Sequence, residues 1–309
     1  MKNEFYYLSA DQKTRIHAIE WIPQGDIRAV LQICHGMCEF IGRYEEFAHF
    51  LCEQGYLVTG NDHLGHGASI TDEEDRGYFA EPDGNACVLA DIHTLRTLTQ
   101  EKYPHVPYFL LGHSMGSFLA RQYICRHGAG LSGAIIMGTG SQPGMILNLG
   151  IFLCRLSALF HGSRYRSHFI NNLAFGGYNK KFEPARTPSD WLTKDAAIID
   201  SYISNPSCTF IFTVNAYQSM FRSIRSAQDG SQIARIPKDL PILVVSGTDD
   251  PVGNFGRGVR QVYDAYRSAG IQDVSISLYD GDRHEILNET DREQVYQDLL
   301  AWMEGRQKI

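Results

Sequence analysis

A chain of 309 residues, 43% hydrophobic and 20% charged, is long enough to bury its own core without disulfide or metal staples. Its formal charge of −7, with Lys and Arg scattered and never gathered into a stripe, argues against a nucleic-acid partner and against strong attraction to anionic bilayers. Seven cysteines, mostly inside apolar runs, read as buried thiols of a reducing compartment. The opening MKNEFYYLSADQ has no apolar stretch of the signal-peptide kind, so a cytoplasmic protein is expected.

In chain order, the first continuous apolar run is AVLQIC (29–34), followed by helical spacing over 44–55 that ends at Gly55. A second run, YLVTGND (56–62), leads to an amphipathic stretch over 86–104 that stops at Pro104. YFLLG (108–112) gives way to a helix over 116–128, and GAIIMG (133–138) comes next. PILVVSG (241–247), VSISLYDG (274–281) and a closing helix over 291–305 complete the series. Continuous apolar runs alternating with helices predict an α/β chain with a mostly parallel, doubly wound sheet buried on both faces. From about 140 to 235 that alternation lapses into an aromatic-rich stretch too long for a bare loop, read as an inserted, mainly helical lid. The expected division is thus a core of 1–139 and 236–309 and a lid of 140–235. Within the lid, MILNLGIFLCRLSALF (145–160) is interrupted by Asn148, Gly150 and Arg155, too short and broken to span a bilayer. Twelve of its sixteen residues are apolar, more than one buried face requires.

Ligands of such sheets gather at the carboxyl ends of the strands. There the chain reads Gly112-His113-Ser114-Met115-Gly116, a tight strand-to-helix turn that holds a serine at its apex. A serine hydroxyl is a weak nucleophile unless a base takes its proton and an acid orients that base. His284, just past the run 274–281, is in the right place for the base. Asp249 and Asp250 both follow the run 241–247; Asp250 is preferred because Pro251 forces it into an extended conformation, while Asp249 could cap the turn. The order Ser114, Asp250, His284 suits this fold. Two backbone N–H groups would face the developing oxyanion, Met115 at the start of the helix and Met37 after the sharp His35-Gly36 turn. GTGSQPG (138–144) fails the dinucleotide fingerprint by the position of its third glycine, and Cys34, His35 and Cys38 lack a second pair at zinc spacing. No cofactor and no metal are expected, and Cys38 is placed near the mouth of the site.

With strand-end HG, GHSMG, GTDDPV and a late histidine, the chain resembles the α/β-hydrolase family, in its monoacylglycerol lipase and lysophospholipase branch. The resemblance rests on HGMCEFIGRYEEFAHFL (35–51), NDHLGHGAS (61–69) and GHSMGS (112–117), with Glu39, Arg43 and Tyr44 following the HG. It implies an α/β-hydrolase fold with Ser114 as nucleophile, His284 as base, Asp250 as orienting acid, Met37 and Met115 N–H as oxyanion donors, and an insertion covering the site. The expected activity is hydrolysis of carboxylic esters through an acyl-enzyme, on monoacylglycerol or lysophospholipid substrates. The alternatives are a small-ester carboxylesterase, an acyltransferase or an aminopeptidase. An aminopeptidase needs a pocket carboxylate for the substrate amine, and Glu39 is the candidate; Glu39 and His113 are expected at the substrate pocket. Arg164, Arg166, Lys180 and Lys181 are either a phosphate-headgroup surface or a solvated face. The expected partners are an ester or lipid substrate and, transiently, a membrane or micelle surface meeting the lid.

Overall fold

The apolar runs form strands because Val, Ile and Leu side chains pack on both faces of a pleated surface and the flanking Gly, Pro and Asp end each run. In the computed structural model, which describes residues 1–307, they make one eight-stranded sheet. The strands are β1 (Lys2–Leu8), β2 (Arg15–Trp21), β3 (Ala29–Cys34), β4 (Tyr56–Asn61), β5 (Tyr108–His113), β6 (Gly133–Met137), β7 (Ile242–Gly247) and β8 (Val274–Tyr279). They lie in the order β1-β2-β4-β3-β5-β6-β7-β8, antiparallel from β1 to β4 and parallel from β4 to β8. Strands β3 to β7 are buried along their whole length.

The helices are α1 (Glu45–Glu53), α2 (Gly84–Lys102), α3 (Met115–His127), α4 (Gly144–His161), α5 (His168–Phe175), α6 (Ala196–Ser204), α7 (Val214–Ala227), α8 (Gly230–Ile233), α9 (Arg257–Ser268) and α10 (Arg292–Glu304). One face of the sheet is covered by α1 and α10 through Phe47, Leu51, Val295 and Leu299. The other is covered by α2, α3 and α9 through Val88, Ile92, Leu119, Val259 and Val262. Between β6 and β7 lie α4 to α8 and no strand; α4 packs along α7, and α7 on α2 and α3.

Three elements were not foreseen. β1 and β2 form an N-terminal hairpin whose turn is held by Asp11, accepting from the N–H groups of Lys13 and Thr14 at 2.8 Å each. β1 is an edge strand whose side chains are mostly exposed, and its short FYYL stretch follows three polar residues. α9 buries only Val259, Val262 and Tyr266 among its larger side chains, and its arginines mask that narrow stripe. The other departure is α4. Asn148, Gly150 and Arg155 do not interrupt it: the helix runs unbroken for 18 residues, about 27 Å at 1.5 Å per residue. Gly150 lets α4 approach the Phe221 ring of α7, and Asn148 accepts from Arg225 at 2.9 Å. By length and apolarity α4 would suffice for a membrane crossing, yet one stripe of it (Leu147, Gly150, Ile151, Cys154) is buried in the fold.

Candidate active site

Backbone geometry sets Ser114 apart before any chemistry is considered. It joins β5 to α3 at φ 54°, ψ −120°, a region that costs a non-glycine residue about 1–3 kcal/mol. Its N–H donates to the Met137 carbonyl at 3.0 Å, and its carbonyl accepts from the Ser117 N–H at 2.9 Å. The two flanking glycines are required by close approach. A Cβ on Gly112 would run into the Gly116 carbonyl, and one on Gly116 into the carbonyls of Cys34 and His35. Gly36 faces the same turn, where a Cβ would lie 3.0 Å from that of Ser114.

Strand order brings the other candidates here. β3 and β5 are neighbours with Cys34 opposite Gly112, so the loop carrying Met37 lies against the loop carrying Ser114. β7 and β8 are neighbours two places along, and the loops that follow them carry Asp250 and His284. His284 Nδ1 stands 3.0 Å from Asp250 Oδ1, although the ring N–H points off the line to that oxygen. His284 Nε2 is buried without a hydrogen-bond partner, while Ser114 is part-exposed. Asp250 is fully buried. Burial alone would raise its carboxyl pKa, but the neighbouring His284 imidazole prevails, with help from the Val252 N–H (2.8 Å) and Ser246 hydroxyl (2.9 Å). The carboxyl is held below its ordinary value and stays ionised beside the imidazole. Asp249 turns the other way and pairs with Lys181 at the surface. Geometry therefore separates the adjacent aspartates, and Asp250 is the one at His284.

Ser114, His284, Met37 and Met115 share a cavity of about 590 Å³. Neither the Met37 nor the Met115 N–H donates to a protein group among the described residues, which leaves both available to an oxyanion. Most of the wall is apolar, and α4, α5 and α7 contribute Ile146, Leu147, Leu173, Phe175, Met220 and Phe221 to it. No Lys or Arg among the described residues lines it. Cys38 does, with its thiol 3.1 Å from the Phe210 carbonyl and its pKa pushed up by burial.

Glu39 and His113 also border the cavity, but their polar atoms are spent inside the protein. Glu39 accepts from the Gly36 N–H, from Tyr44 Oη (2.9 Å), from Arg43 Nη1 (3.0 Å) and from His113 Nδ1 (3.1 Å). Burial works against its charge, and His113 and Arg43 overcome this, so its pKa falls. Burial likewise disfavours the His113 cation, and Glu39 reverses the balance, so that pKa rises. The other ring nitrogen of His113 lies 3.3 Å from the His284 carbonyl. Glu285, the second carboxylate in the wall, is held by both terminal nitrogens of Arg43 at 2.8 and 2.7 Å. Both carboxylates are thus engaged by Arg43 and its neighbours.

A family model described as serine aminopeptidase, S33 matches residues 25–291. The chain belongs to that family. As an S33-family member it is an α/β-hydrolase, and it matches lipases over most of its length. It is 26% identical to a monoglyceride lipase of Mus musculus over 93% of this chain and 86% of that one. It is 25% identical to a monoacylglycerol lipase of Mycolicibacterium smegmatis over 92% and 90%. A thermostable carboxyl esterase from Bacillus coagulans superposes with a TM-score of 0.93 at 28% identity, over 99% of both chains.

Several residues around this S33-family site had no signal in a single sequence. Ser246 is a lone polar residue at the end of an apolar strand, and it has no evident reason until Asp250 is placed beside it. Trp191 and Tyr178 come from the 140–235 segment: the Trp191 ring centroid lies 5.0 Å from that of His284 and 4.9 Å from that of Tyr178. Nothing in their local sequence ties them to a histidine about 90 positions on. The basic residues considered for a phosphate stand elsewhere. Arg164 and Arg166 bond to Asp75 and to the carbonyls of Glu74 and Arg76, Lys181 to Asp249, and none of them, nor Lys180, lines the cavity.

Proposed function

We propose that the chain hydrolyses uncharged lipid esters of the monoacylglycerol kind through an acyl-enzyme on Ser114. The chain is a carboxylic ester hydrolase. Ser114 Oγ attacks the ester carbonyl as His284 Nε2 takes its proton, and Asp250 orients the imidazole and offsets its charge. The N–H groups of Met37 and Met115 receive the oxyanion; by analogy with a measured donor of this type, each contributes about 3–4 kcal/mol. His284 returns the proton to the departing alcohol, and water then attacks the acyl-enzyme by the same route. The 140–235 segment acts as the lid, and residues 1–139 and 236–309 act as the core that carries the catalytic groups.

The observation that carries this reading is the lining of the cavity: a large apolar wall, no cation among the described residues, and two acids already paired with Arg43. A lysophospholipid would bury a phosphate with no Lys or Arg to meet it, and an aminopeptidase substrate would bury an ammonium with no free carboxylate. A neutral glycerol ester meets neither penalty. The lid also exposes Met145, Leu149, Phe152, Leu159 and Phe160 of α4 and Phe169 of α5, an apolar surface suited to transient contact with a micelle or bilayer that delivers such a substrate. The test is turnover of monooleoylglycerol beside oleoyl lysophosphatidylcholine and an aminoacyl anilide, with Ser114→Ala as the blank. Preference for the neutral ester supports the reading, and preference for either charged substrate refutes it.

A further inference from the structure

His284 sits on the loop after β8, and a strap from the 140–235 segment, Ser189–Lys194, is laced to that loop. The His284 N–H reaches the Trp191 carbonyl at 3.4 Å and the Glu285 N–H reaches that of Leu192 at 2.7 Å. Thr193 Oγ1 donates to the Asn288 carbonyl at 2.9 Å, and Arg283 Nη1 to the carbonyls of Asp190 and Thr193. Two fully buried carboxylates stand behind this lacing. Glu289 accepts from the N–H groups of Arg283 (2.9 Å) and Lys194 (3.1 Å). The Asp282 carbonyl accepts from the Asp249 N–H at 2.8 Å, tying the base loop to the loop that carries Asp250. Its side chain makes one contact, Oδ1 with Lys194 Nζ at 2.6 Å, and Oδ2 is buried with no partner.

The Lys194 ammonium is the cation of this cluster, also 3.8 Å from Glu289 and 3.9 Å from Asp291. The other basic groups nearby are engaged elsewhere: Arg283 with strap carbonyls and the Phe182 ring, Arg292 with Glu46 and Asp195. We infer that Lys194 is a positioning residue for the catalytic base, its ammonium holding the Asp282–Glu289 pair, and with it the peptide on both sides of His284, in register with the strap. Burial and the neighbouring acids push the Asp282 carboxyl up to about 6 against the pull of Lys194. Removing the ammonium leaves two buried anions together, the kind of uncompensated charge that displaces a loop or takes up a proton. A displacement near 1 Å at a general base costs far more in turnover than in binding. The strap belongs to the lid segment, so the same contact makes base alignment depend on where that segment lies.

This inference rests on Ser114 and His284 acting as proposed above, and its test reads the base separately from the substrate. Ester turnover and the rate of Ser114 labelling by a fluorophosphonate are measured together across Lys194 variants. Lys194→Met is expected to lower kcat and labelling about tenfold with KM within about twofold. Lys194→Arg is expected to keep at least half of the wild-type rate, and adding Asp282→Asn to Lys194→Met to restore most of it, because the anion and its cation leave together. Wild-type kcat in Lys194→Met overturns the inference. So does a neutral pair, Lys194→Met with Asp282→Asn, that is inactive or unfolded, and this arm decides the matter if Lys194→Met alone does not fold. Wild-type labelling without ester turnover would instead refute the substrate reading and leave the Lys194 test intact.

Discussion

At the scale of residues, the adjacent pair Asp249 and Asp250 makes the sharpest prediction. Asp250 is buried against His284, while Asp249 shares a solvent-exposed ion pair with Lys181, and exposed pairs contribute about 0–1 kcal/mol. Asp250→Asn should therefore cut kcat by about 10³–10⁴-fold with the protein still folded, because the imidazole loses its orienting acceptor. Asp249→Asn should keep activity within about threefold. Equal losses from both, measured as kcat on one soluble ester, would remove Asp250 from its assigned role. The contrast also marks a limit of legibility: Pro251 favours Asp250 on conformational grounds, yet which carboxylate turns inward is decided by Ser246 and Val252, whose hydrogen bonds do not exist until β7 is in place. Glu39 shows the same limit from the other side. It is the carboxylate the sequence offers to a substrate amine, and only the folded chain reveals that Tyr44, Arg43 and His113 occupy its oxygens.

Among elements, buried strands were legible because a two-sided parallel sheet writes continuous apolar runs, and β3 to β8 fall where those runs lie. β1 was illegible because its FYYL stretch is short and mostly exposed at the sheet edge, and α9 because three inward side chains suffice to dock it. α4 is the element whose excess apolarity was legible and whose continuity was not. With Leu147, Ile151 and Cys154 turned inward, Phe152, Leu159 and Phe160 are left facing outward. Burying one phenyl side chain in an acyl layer is worth about 1.5–3 kcal/mol. Phe160→Ser is accordingly expected to lower activity on vesicle-borne substrate about tenfold while leaving a water-soluble short-chain ester unaffected. Equal effects on both substrates would assign Phe160 a structural part instead.

For the molecule as a whole, stability should carry a signature of one buried acid outside the site. Asp91 on α2 anchors the N-terminal hairpin, accepting from Ser9 Oγ at 2.8 Å and the Ala10 N–H at 2.7 Å. Burial raises its pKa to about 7, against roughly 3.9 in an unfolded chain. Between those values the folded state holds a proton that the unfolded state has released, so stability falls as pH rises from about 4 to 7. Asp91→Asn keeps an acceptor for the Ala10 N–H and offers Ser9 Oγ an amide donor in place of the second acceptor, without the charge. Its melting temperature should vary less between pH 5 and pH 8 than that of the wild type, by a few degrees. An unchanged pH dependence would show that the carboxylate is ionised in the fold at little cost.

The claim on which the account turns is that Ser114 hydrolyses a neutral, long-chain ester within the lid-walled cavity. It is tested most directly by kcat/KM for monoacylglycerols from acetyl to oleoyl, set against oleoyl lysophosphatidylcholine, with Ser114→Ala as blank. The account predicts a maximum at medium or long acyl chains, a lower value for the phospholipid, and no turnover above background in the variant. Activity confined to acetyl esters, a preference for the phospholipid, or wild-type turnover in Ser114→Ala would contradict it.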